Sequence, residues 1–148
     1  MKNILFVIVA LFFSATSYSQ ILKPVKWSYA TKKTGKNEAI IYLKATIDKG
    51  WHIYSQRVPD GGPVQTSFSF TPSSSYKKLG ATIEPKPITA FEKAFNMKVS
   101  YFSNTVIFQQ KVNLSRLPAV VKGKIEYMAC DDSRCLPPEE VDFSLTIK

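Results

Sequence analysis

The stretch Ile41-Tyr42-Leu43-Lys44-Ala45-Thr46-Ile47 decides the fold, because Ile41, Leu43, Ala45 and Ile47 face one way while Tyr42, Lys44 and Thr46 face the other. A repeat of two marks extended backbone with one buried face, since successive side chains of a strand point to opposite sides. The repeat recurs outward from this run. Val25, Trp27 and Tyr29 alternate with Lys26 and Ser28, and Phe68 and Phe70 alternate with Ser67 and Ser69. Val106, Phe108, Val112 and Leu114 oppose Gln109, Lys111 and Asn113, while Val121, Ile125 and Tyr127 oppose Lys122, Lys124 and Glu126. The sequence closes with Val141, Phe143, Leu145 and Ile147 against Asp142, Ser144, Thr146 and Lys148.

Turn-forming clusters separate these runs: Lys49-Gly50, Pro59-Asp60-Gly61-Gly62-Pro63, Thr71-Pro72-Ser73-Ser74-Ser75 and Leu136-Pro137-Pro138. No segment holds a 3.6-residue apolar period for long, so helices should be few and short. Roughly seven or eight short strands, with turns about every ten to fifteen residues, predict an all-β, immunoglobulin-like antiparallel β-sandwich, with a small barrel as the alternative.

The first nineteen residues stand apart from this pattern. Met1-Lys2-Asn3 is a short basic start, Ile4 to Phe13 is apolar, and Ser14 to Ser19 is small and polar apart from Tyr18. That is the layout of a secretory signal peptide over residues 1–19, with Ser17 and Ser19 before a cut at Gln20. A membrane anchor fits less well, because the apolar run falls short of the about 20 residues that cross a bilayer. The expectation is therefore an exported, periplasmic protein whose residues 20–148 form one domain. That length supports a core without help from metals.

The formal net charge is +9, yet the basic residues are scattered: Lys32, Lys33 and Lys36 fall in one predicted turn and Lys77 and Lys78 in another. A nucleic-acid binder concentrates its cations with aromatics on one face, so no nucleic-acid partner is expected. The charge suits solubility and mild attraction to acidic partners. His52 is the sole histidine and cannot complete a zinc site with two cysteines alone, so no metal and no other cofactor is expected.

Cys130 and Cys135 are the only cysteines, and both lie in the exported part, where disulfides form and persist. Their pairing within one chain is unambiguous. Counted from Val121, Cys130 falls with Lys122, Lys124, Glu126 and Met128, which predicts a solvent-directed, exposed bridge. A loop this short stabilises by only roughly 2 kcal/mol in the chain-entropy model, a poor staple but an accessible redox centre. The chemistry around it is mild. Leu136-Pro137-Pro138 discourages a helix that would activate Cys135, and Asp131 and Asp132 offset Arg134, so the reduced pair should be mostly thiol near neutrality.

Tyr127-Met-Ala-Cys130-Asp-Asp-Ser-Arg-Cys135-Leu-Pro-Pro138-Glu-Glu, followed by a terminal strand, resembles the amino-terminal periplasmic domain of the thiol:disulfide interchange protein DsbD. Gly50-Trp51-His52-Ile53-Tyr54, and Phe95 ahead of Lys98-Val-Ser-Tyr-Phe102, extend the resemblance over nearly all of the mature chain. The resemblance implies an immunoglobulin-like fold with an active disulfide that relays reducing equivalents to or from thioredoxin-like oxidoreductases and disulfide isomerases. It implies that Cys135 forms the mixed disulfide with a partner and that Cys130 resolves it. Phe95 matches the aromatic residue that caps the site, and His52 and Tyr54 match the two aromatic positions that flank it. Because the likeness is to the amino-terminal domain alone, the electron donor is expected to be a separate membrane protein, and the domain is expected to act as a monomer.

The chain also departs from the family's best-known form. Its cysteines are one residue closer together, His52 replaces a tyrosine, and Glu92, Lys93 and Ala94 stand where acidic residues accompany the cap. Alternatives to the implied roles also stand: His52 and Tyr54 as strand residues on a solvated face, Phe95 as core, and the whole domain as a non-catalytic binding module with a loop-fixing disulfide. A basic adhesin has only the charge in its favour.

Overall fold

The computed structural model describes residues 22–148, so the signal peptide expected over residues 1–19 lies outside the described part. Eleven strands and no helix occur among the described residues. They are β1 (Val25–Lys33), β2 (Glu38–Ile47), β3 (His52–Tyr54), β4 (Ser67–Phe70), β5 (Tyr76–Ile83), β6 (Ile88–Glu92), β7 (Met97–Ser103), β8 (Thr105–Leu114), β9 (Ala119–Tyr127), β10 (Ala129–Cys130) and β11 (Glu139–Ile147). The apolar residues of each alternating run lie within one of these strands.

All pairings between strands are antiparallel, in three sheets ordered β1-β2-β8-β5, β10-β3-β7-β6 and β11-β9-β4. The inward residues of β2 (Ile41, Leu43, Ala45) and β8 (Val106, Phe108, Val112) share one buried core with Val121 and Ile125 of β9 and Ile53 of β3. The fold is the immunoglobulin-like sandwich expected from the alternation. Phe108 of β8 joins the layers: its ring lies 4.8 Å from that of Phe68 in β4 and 5.6 Å from that of Phe102 in β7. Aromatic rings at such spacings add to the area they bury.

Gln110 is the largest polar side chain fully buried among the described residues apart from Tyr54. Gln110 of β8 donates through Nε2 to the carbonyls of Leu79, at 3.1 Å, and Lys111, at 2.8 Å, and its Oε1 accepts from Thr82 Oγ1 at 2.8 Å. These bonds cross the place where the β5–β8 register shifts between Leu79 and Ile83. A bulge leaves backbone groups without ladder partners, and Gln110 supplies them.

The β10-β3-β7-β6 sheet is two-sided. Ala129, Ile53 and Phe102 lie opposite one another in register and face the main core. Side chains one residue away along each strand point to the other face, and that face carries both the disulfide and its neighbours.

Candidate functional site

The chain enters the site where β9 gives way to β10. Tyr127 is the last residue of β9, paired with Glu139 of β11, and its hydroxyl donates to Glu139 Oε2 at 2.8 Å. After Met128 the chain changes partner, and Ala129 and Cys130 pair with Ile53 and His52 of β3. Cys130 then bridges Cys135, to which it is joined by a disulfide.

The strand parity correctly puts Cys130 on the face away from the main core, but the expectation of an exposed bridge is corrected. Cys130 is 1 % exposed and belongs to a second, smaller cluster with Tyr54 and Val99. Val58, Phe95, Met97, Tyr101 and Met128 pack against that cluster. Parity reports which side of a sheet a residue takes, not whether another segment covers that side. Cys135 is exposed, so the two sulfurs occupy different surroundings.

The loop between them holds its own shape. Asp131 N–H donates to the Arg134 carbonyl at 2.9 Å, and Leu136 N–H donates to the Ala129 carbonyl at 2.9 Å. Asp131 Oδ1 accepts from Ser133 N–H and Ser133 Oγ, each at 2.8 Å, and from Arg134 N–H at 2.9 Å. The bonds donated by Ser133, side chain first, hold the Asp131 carboxyl below its ordinary pKa. Arg134 has its charge spoken for: Nε lies 3.6 Å from Asp131 Oδ2, and the guanidinium sits 5.8 Å from the centroid of the Trp51 ring.

His52 and Tyr54 project from β3 on the same face as Cys130. Tyr54 is fully buried, which removes the reading of these two as residues of a solvated face. His52 Nε2 lies 3.2 Å from the Tyr54 hydroxyl and 3.7 Å from Glu92 Oε2 of β6. The Tyr101 ring of β7 lies 4.9 Å from the imidazole. Burial pushes the Tyr54 hydroxyl pKa up, with a smaller contribution from Glu92. Burial also pulls the His52 pKa below its ordinary value, against the opposing pull of Glu92, Asp132 and Asp131. Beside them opens a cleft of about 330 Å³ lined by His52, Ala90, Phe91, Glu92, Lys93, Tyr101 and Asp132.

Phe95 sits in the turn between β6 and β7, which Asn96 makes possible by taking a φ of +52°. Asparagine tolerates that left-handed conformation better than most residues. The turn brings the Phe95 ring to 6.2 Å from that of Tyr54, edge to face, against the Cys130 cluster. The structure thus gathers Cys130, Cys135, His52, Tyr54 and Phe95 on one sheet face. Sequence reasoning did not single out Tyr101 as a site residue, and counted Glu92 only as an acid near the cap. Both reach the site through the β3–β7 and β6–β7 pairings, which alternation within one strand does not encode.

The family model for the thiol:disulfide interchange protein DsbD, N-terminal, matches residues 19–147. No curated protein matches the chain. Among solved structures, the reduced DsbD N-terminal domain of Neisseria meningitidis is similar at a TM-score of 0.55 and 12% identity, covering 88% of this chain and 94% of that one. The N-terminal periplasmic domain of ScsB from Proteus mirabilis is similar at a TM-score of 0.60 and 18% identity, covering 85% of this chain and 47% of that one. A DsbD N-terminal domain solved in complex with the PilB N-terminal domain, also from Neisseria meningitidis, is similar at a TM-score of 0.54 and 12% identity, covering 87% of this chain and 93% of that one.

Proposed function

Because this chain belongs to the family of N-terminal domains of the thiol:disulfide interchange protein DsbD, we propose that it is a periplasmic interchange module that relays reducing equivalents through Cys130–Cys135. The observation that carries this reading is the asymmetry of the disulfide, with Cys130 buried and Cys135 exposed. A partner sulfur can reach Cys135, while Cys130 is sheltered from partners and, once reduced, is placed to attack only the Cys135 mixed disulfide beside it. Cys135 is accordingly the exchanging sulfur and Cys130 the resolving one. Phe95 caps the pair from the β6–β7 turn, and His52 and Tyr54 flank it.

The partners are thioredoxin-like oxidoreductases and disulfide isomerases, supported by the Neisseria DsbD domain solved with the PilB N-terminal domain. A membrane protein supplies the electrons. The alternative, a binding module with a structural disulfide, draws less support from the loop itself. Asp131 and the backbone bonds of residues 129–136 already fix its shape, so a covalent staple adds little there.

Two measurements test the reading. The reduction potential of Cys130–Cys135 should fall in the oxidoreductase range, about −270 to −120 mV, whereas a value well below about −300 mV marks a structural disulfide and overturns the relay. The Cys130→Ala variant should accumulate a mixed disulfide through Cys135 with a purified oxidised thioredoxin-like domain. Absence of that adduct would count equally against it.

A further inference from the structure

His52 stands directly opposite Cys130 in the β3–β10 pair. Directly opposed residues of an antiparallel pair share a face, with Cβ atoms about 4.5–5.5 Å apart. Cys130 in turn bridges Cys135, so His52, Cys130 and Cys135 form one row across three neighbouring chain segments. The imidazole is held in that row by the Tyr54 hydroxyl at 3.2 Å and by Glu92 Oε2 at 3.7 Å.

The buried sulfur needs such a neighbour. A thiol attacks as its thiolate, and burial in apolar surroundings disfavours the thiolate. Arg134, the nearest cation in sequence, is engaged by Asp131. Imidazole is the side chain whose proton exchange falls near neutral pH.

We propose that His52, oriented and polarised by Glu92, accepts the proton of Cys130 in the resolving step of disulfide exchange, an inference that rests on the interchange function above. In the mixed disulfide between Cys135 and a partner's cysteine, the Cys130 thiol passes its proton to the neutral imidazole. The Cys130 thiolate forms a bond to Cys135 Sγ. The bond from Cys135 to the partner sulfur breaks, and the partner leaves as a thiolate carrying the electron pair. Cys130 and Cys135 are oxidised to the disulfide by two electrons, and the partner disulfide is reduced to a dithiol. The proton on His52 returns to the released thiolate or to water. In the opposite direction the imidazolium protonates Cys130 as a partner thiolate opens the bond.

The groups around the imidazole suit this work. Burial keeps His52 below its ordinary pKa and therefore a free base at neutral pH. Glu92 from β6, with Asp132 and Asp131 from the cysteine loop, favours the imidazolium once it forms. Tyr54 of the same strand stays protonated, Tyr101 of β7 packs on the ring, and Lys93 of the β6–β7 turn lines the adjoining cleft.

The test is a two-phase release of coloured thiolate when the reduced protein meets dithiobis(nitrobenzoate). The first release reports attack by Cys135 and the second reports resolution by Cys130; Cys130→Ala identifies the second phase by losing it. In the unaltered protein the second phase should rise with pH through a midpoint below the ordinary histidine value of 6.5. His52→Gln should abolish that rise and slow the phase at neutral pH on the order of 10²-fold, the scale of general-base assistance. Glu92→Gln, which leaves the histidine and the core intact, should move the midpoint to lower pH. A His52→Gln protein with the same profile and rate, or an unmoved midpoint in Glu92→Gln, overturns the inference. The assay uses no biological partner, so failure of thioredoxin-like proteins to exchange overturns the functional reading alone.

Discussion

Cys130 and Cys135 share one covalent bond but not one environment: Cys130 is 1 % exposed within a cluster with Tyr54 and Val99, and Cys135 lies open to solvent. The difference comes from the change of sheet at Met128, which carries Cys130 into the cluster with Tyr54 and Val99, and from the Asp131 turn, which brings the chain back outside. After reduction, Cys135 should therefore be alkylated faster than Cys130, on the order of tenfold or more, because modification follows access as well as thiolate character. Mass mapping after a short pulse of iodoacetamide checks this. Equal labelling would mean that the cluster opens on reduction.

A second prediction concerns Gly123 of β9, which pairs with Phe143 of β11 on one side and Phe70 of β4 on the other. A Cβ there would stand 2.1 Å from the Ser69 carbonyl oxygen and 2.6 Å from Phe143 Cζ. The first is ladder backbone and the second belongs to a buried ring, so neither yields cheaply. Gly123→Ala should destabilise the domain by about 3 kcal/mol, the upper end for overpacking. Urea unfolding measures it, and a loss within error of zero would show that the β4–β9 pair can spread.

Much of this frame was legible in the sequence because β2, β8, β9 and β11 each carry enough alternating residues to declare a buried face. The strands that escaped are physically different. β5 and β6 are exposed along most of their length and have no apolar side to repeat, while β3 and β10 are too short to show a period. The site suffers most from this, since it is built on β10, β3, β7 and β6. The cysteines, Phe95, His52 and Tyr54 were visible through family likeness, whereas Glu92 and Tyr101 became neighbours of His52 only through cross-strand register. Packing of Val58, Phe95, Met97 and Tyr101 around the Cys130 cluster is a long-range event, and for that reason parity misjudged the exposure of Cys130.

Gln110 gives a third prediction. Its amide satisfies the Leu79 and Lys111 carbonyls and accepts from Thr82 at the irregular step of β5. Gln110→Leu keeps the volume and removes every partner, so buried polar groups are left unsatisfied at a cost of about 2–3 kcal/mol. Thermal or urea unfolding should show that loss, and the reduction potential should stay unchanged, because Gln110 of β8 belongs to a different sheet from the disulfide. A shifted potential would reveal coupling between the sheets.

His52 gives a fourth, in stability rather than rate. Its pKa is lowered by folding, chiefly through burial, so below the unfolded value near 6.5 the unfolded chain binds more protons than the native one. The contribution is complete above that pH and is lost as pH falls toward the folded value. The urea midpoint should decline with acid in that window, and His52→Gln should flatten this part of the profile. A midpoint that is level from neutrality down through the window would contradict the burial of the imidazole.

Phe95 tests the cap. Its half-buried ring packs against the cluster that holds Cys130 and meets Tyr54 edge to face at 6.2 Å. Phe95→Ala should cost about 1–2 kcal/mol for the apolar area uncovered. If the ring also shields the disulfide, reduction by dithiothreitol should accelerate by roughly tenfold, since exchange rates depend on access to the attacked sulfur. Stability alone could mimic this by letting the domain open more often. Gln110→Leu separates the two effects, because it weakens the fold by a comparable amount from a different sheet and leaves the Phe95 ring in place. Faster reduction in Phe95→Ala but not in Gln110→Leu assigns shielding to the ring. Equal rates in the two variants would make Phe95 a packing residue and leave the exposure of Cys135 as the feature that sets the rate.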